Sequence, residues 1–287
     1  MECAIHSICE QYPNQYQFSV QSCCSDIFHF HPNVTRLMQK PDRIIEMHYP
    51  TIHKCSQWDV RYLSGYVEYL GEQLNLKLRT SCNRPHIYFS QDELSRAKQV
   101  TGEYAVICSS FKDDYQTKNW GFDNWQAVVD WVIKEKGIKV VQVGEQHHNC
   151  KLLKGAVNLI GRTNIRQLFL LAKYAKFGLG HESFLHHVFA AVNDGTPFVC
   201  VSSGWNPSKW ASYPGPETYI TKQGSLTCCK AKGCFKARFA PRNKDDKSVC
   251  ERPTKVGLET VGECMKMVSV DEVTRAIQDF YTGGVCT

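Results

Sequence analysis

Residues 164–203 read NIRQLFLLAKYAKFGLGHESFLHHVFAAVNDGTPFVCVSS. Apolar residues at helical spacing over 164–175 give way to the short strand KFGLG (176–180), a helix over 183–194 and the β-branched run PFVCVSS at 197–203. Helices and strands alternating this closely require right-handed crossovers and a parallel sheet covered on both faces. The alternation extends upstream: YAVICSS (104–110) reads as a strand, FDNWQAVVDWVIKE (122–135) as a helix, IKVVQVG (138–144) as a strand closed by glycine, and AVNLIG (156–161) as another. The pattern predicts a Rossmann-like domain of roughly a hundred residues.

The first hundred residues repeat this order more weakly. A helix at 1–13 leads to a strand YQFSVQS (16–22), an irregular stretch at 26–34, a strand RIIEMHYP (43–50) and a helix from about Ser56 to Leu76. The polar segment 84–103, ending in Thr-Gly-Glu, reads as the crossing between two lobes. After Gly204 the run GWNPSKWASYPGPETYITKQGSLTCC (204–229) is rich in Gly, Pro and Ser and reads as loop. The final helix, SVDEVTRAIQDFY (269–281), has a serine cap and an acidic first turn, and is expected to pack back across the lobes.

Composition bounds the class. The 287 residues are 43% hydrophobic and 22% charged, the profile of a globular chain large enough for a substantial core. No apolar run reaches the roughly 18 residues of a spanning helix, and the start MECAIHSICEQYP lacks the basic end and long apolar stretch of a secretory signal, so a cytoplasmic location is expected. The net charge of +6 is mild and spread along the chain, denser only over 228–247. It suits an anionic small molecule or polyanionic acceptor without demanding nucleic acid. Of the fifteen cysteines, nine are scattered before residue 228 and five crowd between Cys228 and Cys264. Reduced thiols are expected for the scattered ones.

Three constellations carry chemistry. In HESFLHH (181–187), Glu182 and Ser183 stand where a strand turns into a helix, the place where open parallel sheets bind ligands and free helix N–H groups face an anion. His186 and His187 are about 100° apart on a helix and do not chelate one metal easily, nor is the zincin pattern present. A capped helix with one buried and one solvated histidine explains the stretch equally. His187 is the better functional candidate, and His186 reads as a helix residue.

The second constellation, SSFKDDYQTKNWGFDNW (109–125), follows a strand and offers Ser109, Ser110, Lys112 and Lys118 to a diphosphate, although it has no P-loop glycines and also reads as a solvated polar loop. Third, Cys229, Cys234, Cys250 and Cys264 are spaced C-x4-C-x15-C-x13-C, with Cys228 as a substitute for Cys229. Four thiolates suit a closed structural zinc or iron, and free thiols are the alternative.

Taken together, KNWGFDNWQAVVDWV, VVQVGEQHH and the run from Val157 to Val201 resemble the C-terminal lobe of glycosyltransferase family 9, the ADP-heptose heptosyltransferases of GT-B fold; EQYPN, HPNV and RPHIYFSQDE fit its N-terminal lobe. The resemblance implies an α/β, GT-B-like architecture of two Rossmann-like lobes with parallel sheets, the N-terminal one lacking its first strand, plus a C-terminal cysteine-rich metal knuckle. The divisions expected are an acceptor-side lobe at 1–98, a nucleotide-sugar lobe at 99–224, and knuckle and terminal helix at 225–287. It implies transfer of a heptose or hexose from a nucleoside-diphosphate donor to a hydroxyl of a saccharide, protein or modified nucleic acid, without a catalytic metal. Lys118 and Glu182 are its catalytic residues, Lys118 holding the diphosphate and Glu182 the sugar hydroxyls. Ser109, Ser110, Gly161, Ser183 and His187 complete the donor pocket.

The cysteine cluster, with MVSVDEVTRAI after it, resembles the autotransporter protein O-heptosyltransferases, a branch with a four-cysteine metal finger; a homo-oligomer is compatible. The family's motif has aspartate and glycine where this chain has Glu182 and Phe184. Its proposed base lies on a Gly-Asp loop ahead of the helix that residues 1–13 match, which leaves Asp26 and Glu2 as candidate substitutes. A catalytically silent nucleotide-sugar-binding or assembly protein, and a zinc-knuckle nucleic-acid binder, are the competing readings.

Overall fold

The computed structural model describes residues 1–35, 37–38, 40–48, 60–97, 102–192, 195–230 and 232–282. The N-terminal part holds helix α1 (Glu2–Gln11), a two-stranded parallel sheet of β1 (Phe18–Ser19) and β2 (Val34–Thr35), helix α2 (Tyr62–Leu74) and helix α3 (Gln91–Ala97). Ala4 and Ile8, one turn apart on α1, pack on Val67 and Leu70 of α2 in a small core. Helix α2 stops at Asn75, which takes the left-handed conformation (φ 54°, ψ 44°) while the N–H of Leu76 donates to Gly71. Residues 43–48, expected as a strand, form none, and Ile44 is 83% exposed. Of the helix expected from Ser56, the start lies outside the described residues, and α2 begins at Tyr62.

From residue 104 the expected alternation is present. Strands β3 (Tyr104–Cys108), β4 (Lys139–Gln142), β5 (Val157–Asn158), β6 (Phe177–His181), β7 (Phe198–Ser202) and β8 (Glu217–Thr221) make one parallel sheet in the order β5-β4-β3-β6-β7-β8. Helices α4 (Phe122–Trp131), α5 (Ile165–Tyr174), α6 (Phe184–Val192) and the short α7 (Ser208–Ala211) connect them. All of β3, β6 and β7 is buried, and apart from the glycines of β6 and the terminal His181 and Ser202 the strands are apolar, their residues alternating between two cores. Ala105 and Ile107 face one core with Trp120, Trp125, Phe177 and Ile277. Tyr104, Val106 and Cys108 face the other, with Phe169, Leu185, Phe189 and Phe198. Gly178 is required by that second core: a Cβ there would stand 2.5 Å from the rings of Phe189 and Phe198.

Strand β8 and helix α7 correct the reading of 204–229 as loop. Helix α5 opens with a reciprocal cap, in which Asn164 accepts from the N–H of Gln167 and Gln167 accepts from the N–H of Asn164. The chain finishes in an antiparallel hairpin, β9 (Pro253–Val256) with β10 (Glu259–Gly262), a short helix α8 (Glu263–Lys266) and helix α9 (Val270–Thr282). Ser269 and Glu272 cap α9 reciprocally. Helix α9 packs on α4, β7 and β8, and so belongs to the larger sheet. Among the described residues no helix is long and apolar enough to cross a membrane.

Candidate functional site

A cavity of about 930 Å³ opens at the carboxyl ends of β3, β4 and β6, roofed by Cys23, Cys24, Arg61 and Tyr62 from the N-terminal part. This is the crevice where parallel sheets bind ligands. Lys118 ends a tight turn over Asp113–Lys118. Its ammonium donates to the main-chain oxygen of Glu182 at 2.5 Å, lies 3.8 Å from that residue's Oε2, and sits 5.3 and 5.5 Å from the ring centres of Tyr115 and Trp205. Glu182 is itself buried, and its Oε2 accepts from Asn206 Nδ2 at 3.1 Å. Ser183 and the first residues of α6 line the same cavity, so the helix's unpaired N–H groups and Lys118 converge on one region.

The turn carrying Lys118 is fastened from the far end of the chain. Thr117 donates its hydroxyl to the carbonyl of Lys236 at 2.6 Å and its N–H to Ala237 at 3.1 Å. Next to it, Asn119 donates to Thr260 of β10.

The two histidines take different places. His187 lines the cavity, and its Nδ1 is 2.7 Å from the Tyr213 hydroxyl. Burial, then the charges of His186 and Lys118, push its pKa down to about 3, so it is a neutral hydrogen-bonding group. His186 is more than a helix residue: fully buried, it contacts Glu217 Oε2 through Nε2 at 2.9 Å and stacks on Phe198, tying α6 to β8. His181 ends β6 inside the core, where burial lowers its pKa to about 4.

Ser110, Gly161, Ser183 and His187 all line the cavity, and Ser109 does not. Ser109 instead accepts from Gln142 in the core. Gly161 has φ +65° and donates to Gly144, and a Cβ there would fall 2.5 Å from Gln146. Neither candidate substitute base borders the cavity. Asp26 is exposed beside His29, and Glu2 is buried beneath His31 and His86.

The sequence model of glycosyltransferase family 9 (heptosyltransferase) matches residues 63–237.

The chain belongs to glycosyltransferase family 9.

Solved structures agree in fold. The iron-containing dodecameric glycosyltransferase TibC from enterotoxigenic E. coli H10407 superposes with a TM-score of 0.60 at 16% identity, covering 98% of this chain and 71% of its own. A family 9 glycosyl transferase from Veillonella parvula DSM 2008 gives 0.52 at 16%, covering 89% and 65%. The E. coli ADP-heptose LPS heptosyltransferase II gives 0.52 at 13%, covering 78% and 62%. The family 9 chain therefore spans about two thirds of the length of these relatives. No curated protein matches it.

The cysteine cluster lies behind the Lys118 turn. Cys228, Cys229, Cys234, Cys250 and Cys264 line one small cavity of about 20 Å³ together with Thr117 and Gly204. The N–H groups of Gly204 and Gly224 point at Cys264 Sγ (3.5 Å) and Cys229 Sγ (3.2 Å); burial raises the Cys264 pKa, and the contact from Gly204 offsets part of that rise. The backbone runs close to the sulfurs: a Cβ on Gly262 would meet Cys264 Sγ at 3.4 Å, and one on Gly204 would meet Cys229 Sγ at 3.3 Å. The donor set fits a sulfur-binding metal. Among the described residues, however, the groups of three ligand-type atoms lying within 4.8 Å of one another are elsewhere, around Glu2.

Several lining residues escape a reading of the sequence. Tyr115, Trp205, Trp210 and Tyr213 give the cavity aromatic walls, and Glu145 is, with Glu182, one of its two lining carboxylates. Glu145 follows the glycine that closes β4, and that position relative to a strand end was the signal available for it.

Proposed function

We propose that the chain transfers a heptose or hexose from a nucleoside-diphosphate donor to a hydroxyl acceptor. The observation that carries this reading is the convergence of Lys118 with the start of α6 at the rim of a deep cavity in a family 9 fold. A departing diphosphate needs positive charge held in place before the bond breaks, and a fixed ammonium plus oriented N–H groups provide it. Glu182, steadied by Asn206 and Lys118, accepts from hydroxyls of the sugar. Ser110, Gly161, Ser183 and neutral His187 complete the donor contacts. The acceptor, a saccharide, a protein or a modified nucleic acid, enters beneath Arg61 and Tyr62. This reading keeps the divisions 1–98, 99–224 and 225–287.

The cysteine segment holds a structural zinc or iron on Cys229, Cys234, Cys250 and Cys264, with Cys228 within reach of the same cavity. The iron named for TibC supports iron, and the dodecamer named for it supports a homo-oligomer here.

A donor-binding protein without turnover is the second reading, favoured by the placement of Asp26 and Glu2 away from the cavity. Donor binding and turnover measured separately with ADP-heptose, UDP-glucose and a GDP-sugar decide between the two. Turnover that Lys118→Ala abolishes supports the transferase, binding without turnover supports the silent protein, and no binding by any donor sinks both.

A further inference from the structure

In the N-terminal part, one buried carboxylate gathers an unusual company. Among the described residues, both groups of three ligand-type atoms within 4.8 Å of one another contain Glu2: Glu2 with His6 and His86, and Glu2 with Cys3 and Cys82. His31 stands against it too, with Nε2 3.5 Å from Glu2 Oε1. Glu2 is 7% exposed, and its Oε1 has no hydrogen-bond partner, while Oε2 accepts from the N–H of His86 at 2.9 Å. A buried carboxylate is costly unless paired or bound to a metal, and one hydrogen bond leaves most of its lone pairs unused.

We propose that Glu2, His6 and His86 form a second metal site, for a borderline divalent cation of the zinc class, separate from the cysteine cluster. Glu2 and His6 are four residues apart on α1 and so share one face of the helix, while His86 comes from the segment that leads into the larger lobe. Carboxylate and imidazole are zinc's oxygen and nitrogen ligands, with bonds of about 2.0–2.2 Å, so donors around one ion stand about 3.4 Å apart. The three donor atoms already lie within 4.8 Å of one another. The rings of His6 and His86 stack with centroids 5.6 Å apart and 25° between their planes, which keeps the two imidazoles side by side next to Glu2. Glu10, a further turn along α1, reaches His6 Nε2 at 3.8 Å and supplies the outer carboxylate that commonly orients a ligating histidine. His6 and His86 are half-buried, so the ion has a path from solvent and a coordination position left for water. Its effect is to pin α1 to the segment before α3.

The test is equilibrium dialysis of the 287-residue chain against Zn²⁺, with bound metal counted by mass spectrometry. Wild type is expected to carry one equivalent more than His6→Gln and than His86→Gln; equal loading of all three overturns the site. Cobalt substitution tells which of the two Glu2 groups is loaded. The equivalent lost from His6→Gln should lack the near-ultraviolet thiolate charge-transfer band, and a band on that equivalent would assign the ion to Cys3 and Cys82 and overturn the histidine site. Wild type alone provides an independent reading: Zn²⁺ should protect His6 and His86 from acylation by diethylpyrocarbonate, and full modification in saturating Zn²⁺ is the contrary result.

Discussion

The two ends of the cavity are built differently. Below it, β3, β6 and β7 each run five residues with every position buried between two cores. Above it, β1 and β2 are two residues each and partly exposed, and the local core is a handful of side chains on α1 and α2. The lower half places charge with little freedom of movement. The upper half, with few buried contacts, opens more easily.

The largest effect should come from the lower half. Phe177→Ala removes a ring from the core beneath the site and should cost about 3–5 kcal/mol in chemical denaturation. Ile8→Ala in the upper core should cost about 2–5 kcal/mol by the same reasoning, yet its hydrogen-exchange signature should stay within α1 and α2. If Ile8→Ala speeds exchange in β3 and β6 as well, the halves are one cooperative unit and the contrast fails.

Lys118→Ala should weaken donor binding by about 1.5–3 kcal/mol, tenfold or more, by calorimetry, with the melting temperature little changed. Glu217→Gln keeps the shape but removes the charge facing His186 and should destabilise by about 1–3 kcal/mol. Acidification probes the same half. His187 and His181 have pKa values lowered to about 3 and about 4 from an ordinary 6.5, so between those limits the unfolded chain takes up protons that the folded one refuses. Stability should hold above pH 6.5 and fall as pH drops towards 4, and His187→Gln should flatten that slope. The smallest effect is Ser269→Ala, which loses one end of the α9 cap and should cost about 1 kcal/mol.

Legibility in the sequence follows the same division. The central strands β3, β6 and β7 were readable because burial on both faces leaves mostly apolar residues to choose from. The expected strand at 43–50 failed on the residues described, since the apolar pair in RIIEMH lacks a partner sheet and leaves Ile44 in solvent. Strand β8 was hidden for the opposite reason: ETYIT is half-buried at the edge and framed by Pro and Gly. Of the site, Glu182 and Ser183 stood at the end of β6, where a rule of parallel sheets points, with Lys118 and His187 on the turn and the helix that follow β3 and β6. The aromatic walls did not, because Trp205, Trp210 and Tyr213 come from one stretch that meets Tyr115 only once the chain has folded.

Thr117 gives that assembly a practical limit. Its two hydrogen bonds to Lys236 and Ala237 make the segment after β8 a buttress for the turn that ends in Lys118. A chain shortened after Thr221 would keep all six strands of the sheet and pass as a complete domain in any survey of its architecture. It would nonetheless have lost the outer support of the turn that carries Lys118, so the smallest unit that holds this turn in place is longer than the smallest complete sheet.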